Sequence, residues 1–452
     1  MLGSPIKKLR DFFADSADAA PVAELVQPDG KINFYSSNKK ILNTFFGIMV
    51  TGTFVAMVAT ILYYVFAFAS LYGGSSKFDW LLGIFSDFVV IMNFSLEESP
   101  YVVGDSSYPP IAIAILYPFA LICKDAFANY RFNELTADEL TAEIILHPQF
   151  WVAILLFFAI CSILVVFTLS KLFGLKKIDS LKFGIITITS APFVFAVMRG
   201  NTIYFALIFL ILFLLFKDSG NAILREISYI CLALAGAIKI YPLFFGVFLL
   251  QKKKIFASFR VGVYFALIFV LSFIVFHDDF NEVSPFIDNL GGFMSNEMRL
   301  LATNNLSISS LIYKILHFFI PILSAESTVY TVINLCALAI VFATSTYAAI
   351  ATQSNFSRYA ICFAIVVLIP TISYFYVIIF AILPFLEYIR VYSQLSIKKR
   401  CFYFFAFSFL FLTPFIVAKN FVVHALIITL ILAIEIISVF SERKRLRQVK
   451  NS

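Results

Sequence analysis

The chain has 452 residues, 61% of them hydrophobic and only 13% charged, with a mean hydropathy of +0.93 and a net charge of +7. A soluble chain sits near roughly 45–50% apolar and about 25% charged. There is too little polar surface here to cover a water-soluble globule. An ordinary cytosolic enzyme, a secreted disulfide scaffold and a disordered protein are excluded, and a polytopic membrane protein remains.

Residues 1–41 are polar and mixed in charge, with no apolar core and no cleavable signal; they read as a cytoplasmic tail. A spanning helix needs about 20 apolar residues. In chain order the candidates are roughly 43–71, 109–123, 150–170, 183–198, 202–217, 228–250, 255–276, 306–322, 328–350, 358–389 (interrupted near Pro370), 402–418 and 421–440. The expected fold is therefore an all-α, polytopic transmembrane helix bundle of about 11–13 spans over 42–440, some broken or re-entrant, ending in a basic cytoplasmic tail at 441–452. Outer loops are expected at about 72–108 and 277–305. The apolar run Trp80 to Phe94 in the first of them reads as a segment lying flat in the interface.

Several spans are short, and Pro or Gly breaks others. Broken helices are tolerated at membrane depth only where protein or a water-filled cavity surrounds them, so a cavity is expected. Basic clusters at both termini, at 171–182, 252–254 and 398–400 all ask to face the cytoplasm, while the two loops ask to be outside. Alternating full crossings do not satisfy all of these, which leaves 109–123 and 228–250 as alternative broken or re-entrant segments.

The six cysteines form no CxxC pair and the four histidines no metal-binding spacing, so neither a metal nor another cofactor is expected. No basic face or fold motif points to nucleic acid. Chemistry is sought instead among charges at membrane depth, which are costly and so mark candidate sites. Asp87 interrupts the run Leu81–Phe94, Arg199 closes one span, and Lys239 sits within 228–250; Asp105, Asp278, Asp279, Glu387 and Glu435 are weaker candidates at loops and span ends. One acid and two bases around a cavity suit one class of reaction. A carboxylate acts as general base on an acceptor hydroxyl, and cations hold a phosphate leaving group. That is glycosyl transfer from a lipid-phosphate sugar.

The motifs follow an order that resembles the GT-C superfamily of integral-membrane glycosyltransferases, and within it glycosyltransferase family 87, the polyprenol-phosphate-mannose-dependent alpha-mannosyltransferases. The resemblance runs from about residue 80 to residue 390. Ser86-Asp87-Phe88 looks like the family's first-loop acidic motif, followed by Ser99-Pro100-Tyr101 and Tyr108-Pro109-Pro110. Arg199-Gly200-Asn201 is similar to its Gly-Gln-x-Asn element, with Gln replaced, and the stretch from Gly236 through Lys239 to Pro242 to its Gly-x-x-x-Lys-x-x-Pro element. Asn304-Asn305-Leu306-Ser307 looks like its Asn-x-Ser loop, and Pro370 to Tyr374 occupies the place of its Pro-x-Ser-Trp element. The family's following His is absent; Phe375 and Tyr376 stand there, and Tyr376 offers a hydroxyl instead.

The resemblance implies an inverting transfer of a mannose-like hexose from a polyprenyl-phosphate sugar donor to a lipid-linked or glycan acceptor, on the extracytoplasmic side of a plasma (inner) membrane. It implies Asp87 as general base, Lys239 and Arg199 on the donor phosphate, and Asn201, Tyr108, Asn305, Ser307, Ser373, Tyr374 and Tyr376 around the sugar pocket. Two other classes compete: a transporter or flippase of lipid-linked saccharides, which commonly shows paired broken helices in two related halves, and an oligosaccharide polymerase or ligase. No internal symmetry of the transporter kind is visible in the chain.

Overall fold

The computed structural model describes residues 36–69, 79–102, 104–128, 136–276, 279–322, 324–412 and 422–451. Most of the expected N-terminal tail, residues 72–78 of the first loop, Asp278 and the segment 413–421 lie outside the described residues. Among those described, every regular element is a helix, and one isolated antiparallel bridge joins Asn305 to Tyr374.

Among the described residues the helices run α1 (Ser36–Ala69), α2 (Asp79–Leu96), α3 (Pro110–Ile122) and α4 (Ala137–Ile144). It continues through α5 (Pro148–Leu172), α6 (Lys177–Thr189), α7 (Ala191–Met198), α8 (Ile203–Phe216) and α9 (Ala222–Ile238). A 3-10 turn (Tyr241–Gly246) leads to α10 (Val247–Gln251) and α11 (Ile255–Leu271). The second loop folds as α12 (Val283–Ser295) and α13 (Glu297–Leu301) before α14 (Ile308–Phe319), α15 (Thr328–Ala351) and α16 (Asn355–Leu368). A 3-10 turn (Phe375–Ala381) opens α17 (Ile382–Val391), and α18 (Ile397–Leu412) and α19 (Val422–Asn451) close the chain.

Among the described residues, five helices are long and apolar enough to cross a membrane, or six if α6 and α7, bent by 59° at their junction, count as one span. Their exposed faces are apolar, as in Leu155 and Ile163 of α5 and Phe256 and Phe259 of α11. This is a multi-pass membrane protein. The expected 11–13 spans include short pieces: α3 has 13 residues, about 20 Å of helix, against a hydrocarbon core of about 30 Å. Such helices reach full depth only as parts of broken spans.

The breaks have local causes. α9 stops at Ile238 because Lys239 turns to an extended conformation (φ −145°, ψ 120°) and Pro242, three residues on, brings no N–H to a continued ladder. Gly236 lets the following turn fold back, since a Cβ there would meet the Leu243 side chain at 2.5 Å. The segment 228–250 is thus broken as one alternative required, while 109–123 is a single short helix. α16 ends just before Pro370, and a six-residue irregular stretch separates it from the next 3-10 turn.

One expectation is corrected. The run Trp80 to Phe94 is not a surface strap: it lies in α2, which packs against α3 and α4 with Phe88, Val89, Ile91 and Met92 fully buried. Burying that apolar face removes far more hydrocarbon from contact with polar groups than lying flat would. Elsewhere, the basic run at 252–254 folds onto Asp218, whose carboxylate takes Lys217 at 2.7 Å, Lys252 at 2.8 Å and Lys254 at 3.0 Å. Burial pushes the Asp218 carboxyl up, but the hydrogen bonds and charges of the three lysines outweigh it and hold the group well below the usual carboxylate range.

Candidate active site

Three helix breaks and the middle of α2 meet at one place. The first break is the α7–α8 junction. Gly200 N–H donates to Val197 O at 2.7 Å and Asn201 N–H to Ala196 O at 3.0 Å, the paired bonds of a Schellman cap. Gly200 has φ +55°, and a Cβ on it would lie 2.2 Å from the Phe88 ring. No other residue fits there. The cap leaves Arg199 at the end of α7 and starts α8 through Asn201, whose Oδ1 accepts from Ile203 N–H at 3.1 Å.

Arg199 reaches α2 from this cap. Its Nε donates to Asp87 Oδ2 at 2.7 Å and its Nη2 to Oδ1 at 2.5 Å, a two-pronged ion pair. The side chains are only 22% and 14% exposed, so the pair lies inside the protein without being sealed. Asn201 is fully buried beside Asp87 and Tyr376.

The second break supplies Lys239. Its Nζ lies 5.1 Å from the Tyr108 ring centre and 6.0 Å from that of Tyr376, within cation–π range. Among the described residues it hydrogen-bonds to no acceptor and pairs with no carboxylate. It is a partly buried ammonium held by ring faces, near enough to feel both Asp87 and Arg199. Tyr108 is fixed from the first loop: its carbonyl accepts from Tyr101 Oη at 2.8 Å and its N–H donates to Ser106 Oγ at 3.3 Å.

The third break is the stretch 369–374. Leu306 N–H donates to Ser373 O at 2.7 Å, and Ser373 N–H to Asn305 Oδ1 at 3.1 Å. Asn305 Nδ2 bonds the carbonyls of Arg299 (3.1 Å) and Thr371 (3.3 Å). Ser307 Oγ donates to Thr371 O at 2.7 Å and caps α14 by accepting from Ser310 N–H at 3.0 Å. Asn305 and Ser307 thus use their side chains to stitch two irregular segments together. Ser373 differs: its Oγ is buried with no partner. Tyr374 and Tyr376 project from this break as a ring pair 6.1 Å apart, with Tyr376 stacked on Phe195.

The structure therefore gathers Asp87, Arg199, Asn201, Lys239, Tyr108, Tyr374 and Tyr376 around one point, with Asn305, Ser307 and Ser373 forming the wall behind it. Asp105 is exposed, Glu387 pairs with Arg390, and Glu435 lies in a separate cluster. Among the described residues no group of three or more His, Cys, Asp or Glu could hold a metal.

A family model for glycosyltransferase family 87 matches residues 107–371, more than half of the chain. The chain belongs to glycosyltransferase family 87. Membership makes this protein a membrane glycosyltransferase, acting on a sugar donor and an acceptor in a lipid environment, and sets the transporter reading aside. No curated protein and no solved structure matches the chain. The matched stretch of this family 87 enzyme contains Tyr108, Arg199, Asn201, Lys239, Asn305 and Ser307. It is shorter than the stretch expected from the motifs. Asp87 and Ser373 to Tyr376 fall outside it and are tied to it by geometry alone, Asp87 through its pair with Arg199.

Two features of the enzyme were not foreseen. Tyr101 is a hub: its N–H donates to buried Glu282 at 3.0 Å and its carbonyl accepts from Asn289 at 2.9 Å, which ties the two long loops together. Arg299 reaches the site by donating to Tyr374 Oη at 3.4 Å. A signal for Arg299 was present, since it is the only Lys or Arg between residues 277 and 305.

Proposed function

We propose that this enzyme transfers a mannose-like hexose from a polyprenyl-phosphate donor to a lipid-linked or glycan acceptor, with inversion, on the extracytoplasmic side of the plasma (inner) membrane. The observation that carries the reading is the two-pronged Asp87–Arg199 pair beside the acceptor-free ammonium of Lys239.

In this reading Asp87 accepts the proton of the acceptor hydroxyl as its oxygen attacks the anomeric carbon. The bond from that carbon to the phosphate oxygen breaks, and its electron pair leaves on the phosphate. Lys239 meets the growing negative charge from a low-dielectric wall, where a fixed cation is worth most. Arg199 serves two anions in turn. It holds Asp87 in position through two hydrogen bonds. When the donor phosphate arrives the guanidinium turns to it, and Asp87 is left to receive the proton. Asn201 and Tyr376 border the sugar, and Tyr376 stands where the resembling family carries His. Asn305 and Ser307 shape the wall, and Ser373 Oγ offers it a hydroxyl.

The test uses membranes carrying wild type or Asp87→Asn, supplied with a radiolabelled polyprenyl-phosphate hexose. Transfer into lipid or glycan by the wild type, reduced by about two orders of magnitude or more in the variant at equal expression, is the expected result for loss of a positioned base. Equal transfer by both removes Asp87 from the mechanism. Label that crosses sealed vesicles without being transferred removes the reading itself.

A further inference from the structure

Arg299 presents an arginine that the mechanism above does not use. It lies on α13 with its backbone pinned: its N–H donates to Asn296 Oδ1 at 3.2 Å and its carbonyl accepts from Asn305 Nδ2 at 3.1 Å. The guanidinium lies over a ring, with Cζ 4.0 Å from the centre of Phe293, and makes one long bond to Tyr374 Oη. It pairs with no carboxylate among the described residues. The nearest acid along the chain, Glu297, is taken by the Tyr313 hydroxyl instead. The nearby Lys314 ammonium is spent on Ala302 O at 2.8 Å.

The half-buried guanidinium makes only that one side-chain hydrogen bond among the described residues, so most of its N–H donors remain available to an anion. Its Cζ is held over the Phe293 ring, and a guanidinium so placed suits a phosphate or carboxylate. Tyr374, which it touches, forms one end of the ring pair whose other end, Tyr376, faces Lys239. Two cations thus stand at opposite ends of one pair of rings, each without an anion of its own.

We propose that Arg299 forms a second anion subsite at the Tyr374 end of the pocket and that a phosphate carried by the acceptor fills it. The inference rests on the reading of the site as a polyprenyl-phosphate-dependent transferase. In an inverting displacement the acceptor oxygen attacks from the side opposite the leaving phosphate, so the body of the acceptor extends away from Lys239. The Arg299 edge lies at that other end. The acceptor class is then a phosphate-bearing saccharide, and a neutral glycan is the poorer substrate.

The test measures equilibrium binding to the purified full chain in lipid nanodiscs with three probes: a hexose 6-phosphate, the matching methyl hexoside and undecaprenyl phosphate. Wild type is expected to prefer the hexose phosphate over the neutral hexoside. Arg299→Gln should lower that preference at least about tenfold, the scale of one charge-assisted hydrogen bond. Arg299→Lys should lower it less, and undecaprenyl phosphate should bind Arg299→Gln as it binds wild type. Lys239→Gln should show the reverse pattern. Retention of the preference in Arg299→Gln overturns the proposal, as does an equal loss for the neutral hexoside, which would mean packing alone. An equal loss for undecaprenyl phosphate assigns Arg299 to the donor instead and also overturns it. A wild type that binds the hexose phosphate but not undecaprenyl phosphate overturns the donor reading while supporting the subsite.

Discussion

Two of the ionic clusters inside this protein are built differently. In the C-terminal helices, Glu435 is fully buried and its Oε1 accepts from both Lys399 (3.1 Å) and Tyr403 (2.5 Å), joining α18 to α19. In the site, Asp87 and Arg199 form a shorter pair, at 2.5 Å, but remain partly accessible, and Lys239 beside them has rings rather than an acid for company. The first cluster sits between continuous helices and is sealed from solvent, with Glu435 Oε2 left without a partner among the described residues. The second sits where helices break, and its charges outnumber their partners. Burial of charge alone does not mark a site; a cation left without an anion at a break in the backbone does.

That contrast can be broken most sharply at the C-terminal pair. Lys399→Met leaves Glu435 buried without its counter-charge and should cost about 3–5 kcal/mol of stability, while Lys399→Met combined with Glu435→Leu should recover most of it. Thermal unfolding in detergent or nanodiscs reads both, and transfer per folded molecule should stay at the wild-type level. Asp87→Asn, which keeps an amide oxygen for Arg199 in a pair that is 14–22% exposed, should cost less stability than Lys399→Met while lowering transfer by about two orders of magnitude or more. A Lys399→Met protein that is stable but inactive would erase the distinction between the two clusters.

Gly200→Ala sharpens the comparison from the backbone side. An L-residue in the left-handed region costs roughly 1–2 kcal/mol, and the new methyl must displace Phe88, the neighbour of Asp87. Transfer should fall more than stability does, by about tenfold or more, because a shift of about 1 Å at the reacting groups is enough. Equal retention of both would show that the cap does not set the position of Asp87.

The smallest effect is expected at Asp218, whose side chain is 34% exposed among three lysines. Asp218→Asn should cost about 0–1 kcal/mol at neutral pH. Because the folded-state carboxyl is held below its ordinary value of 3.8, its contribution is complete above that pH and is lost only as the pH falls further. Acid titration of unfolding in wild type and variant checks the sign: the two curves should converge below pH 3.8 and differ above it.

Much of the site was legible because its residues break rules that apolar segments otherwise follow. Asp87, Arg199 and Lys239 are charges inside apolar runs, and Pro242 and Pro370 mark the breaks beside them. Other parts were not legible. The family resemblance assigned Arg199 to the donor phosphate, and nothing in its spacing revealed that the guanidinium pairs with Asp87, 112 positions away along the chain. Asn305 and Ser307 were read as sugar contacts, but an Asn-x-Ser motif says nothing of whether its side chains face a pocket or bond the neighbouring backbone. Arg299 stands out in sequence only as the lone basic residue of its loop, and that isolation says nothing of its approach to Tyr374.

Composition by itself determined the solvent of this protein: with 13% charged residues the chain has no way to cover itself for water. Local sequence determined where the helices run and where Gly and Pro interrupt them, because those preferences act within a few residues. Only the tertiary structure decided which interruptions meet. Bringing α2, the α7–α8 cap, Lys239 and the 369–374 break to one point depends on how apolar helix faces pack over long separations. In a chain this uniformly apolar the pattern of hydrophobic residues scarcely distinguishes one face from another, so the partners of each buried charge became visible only in three dimensions.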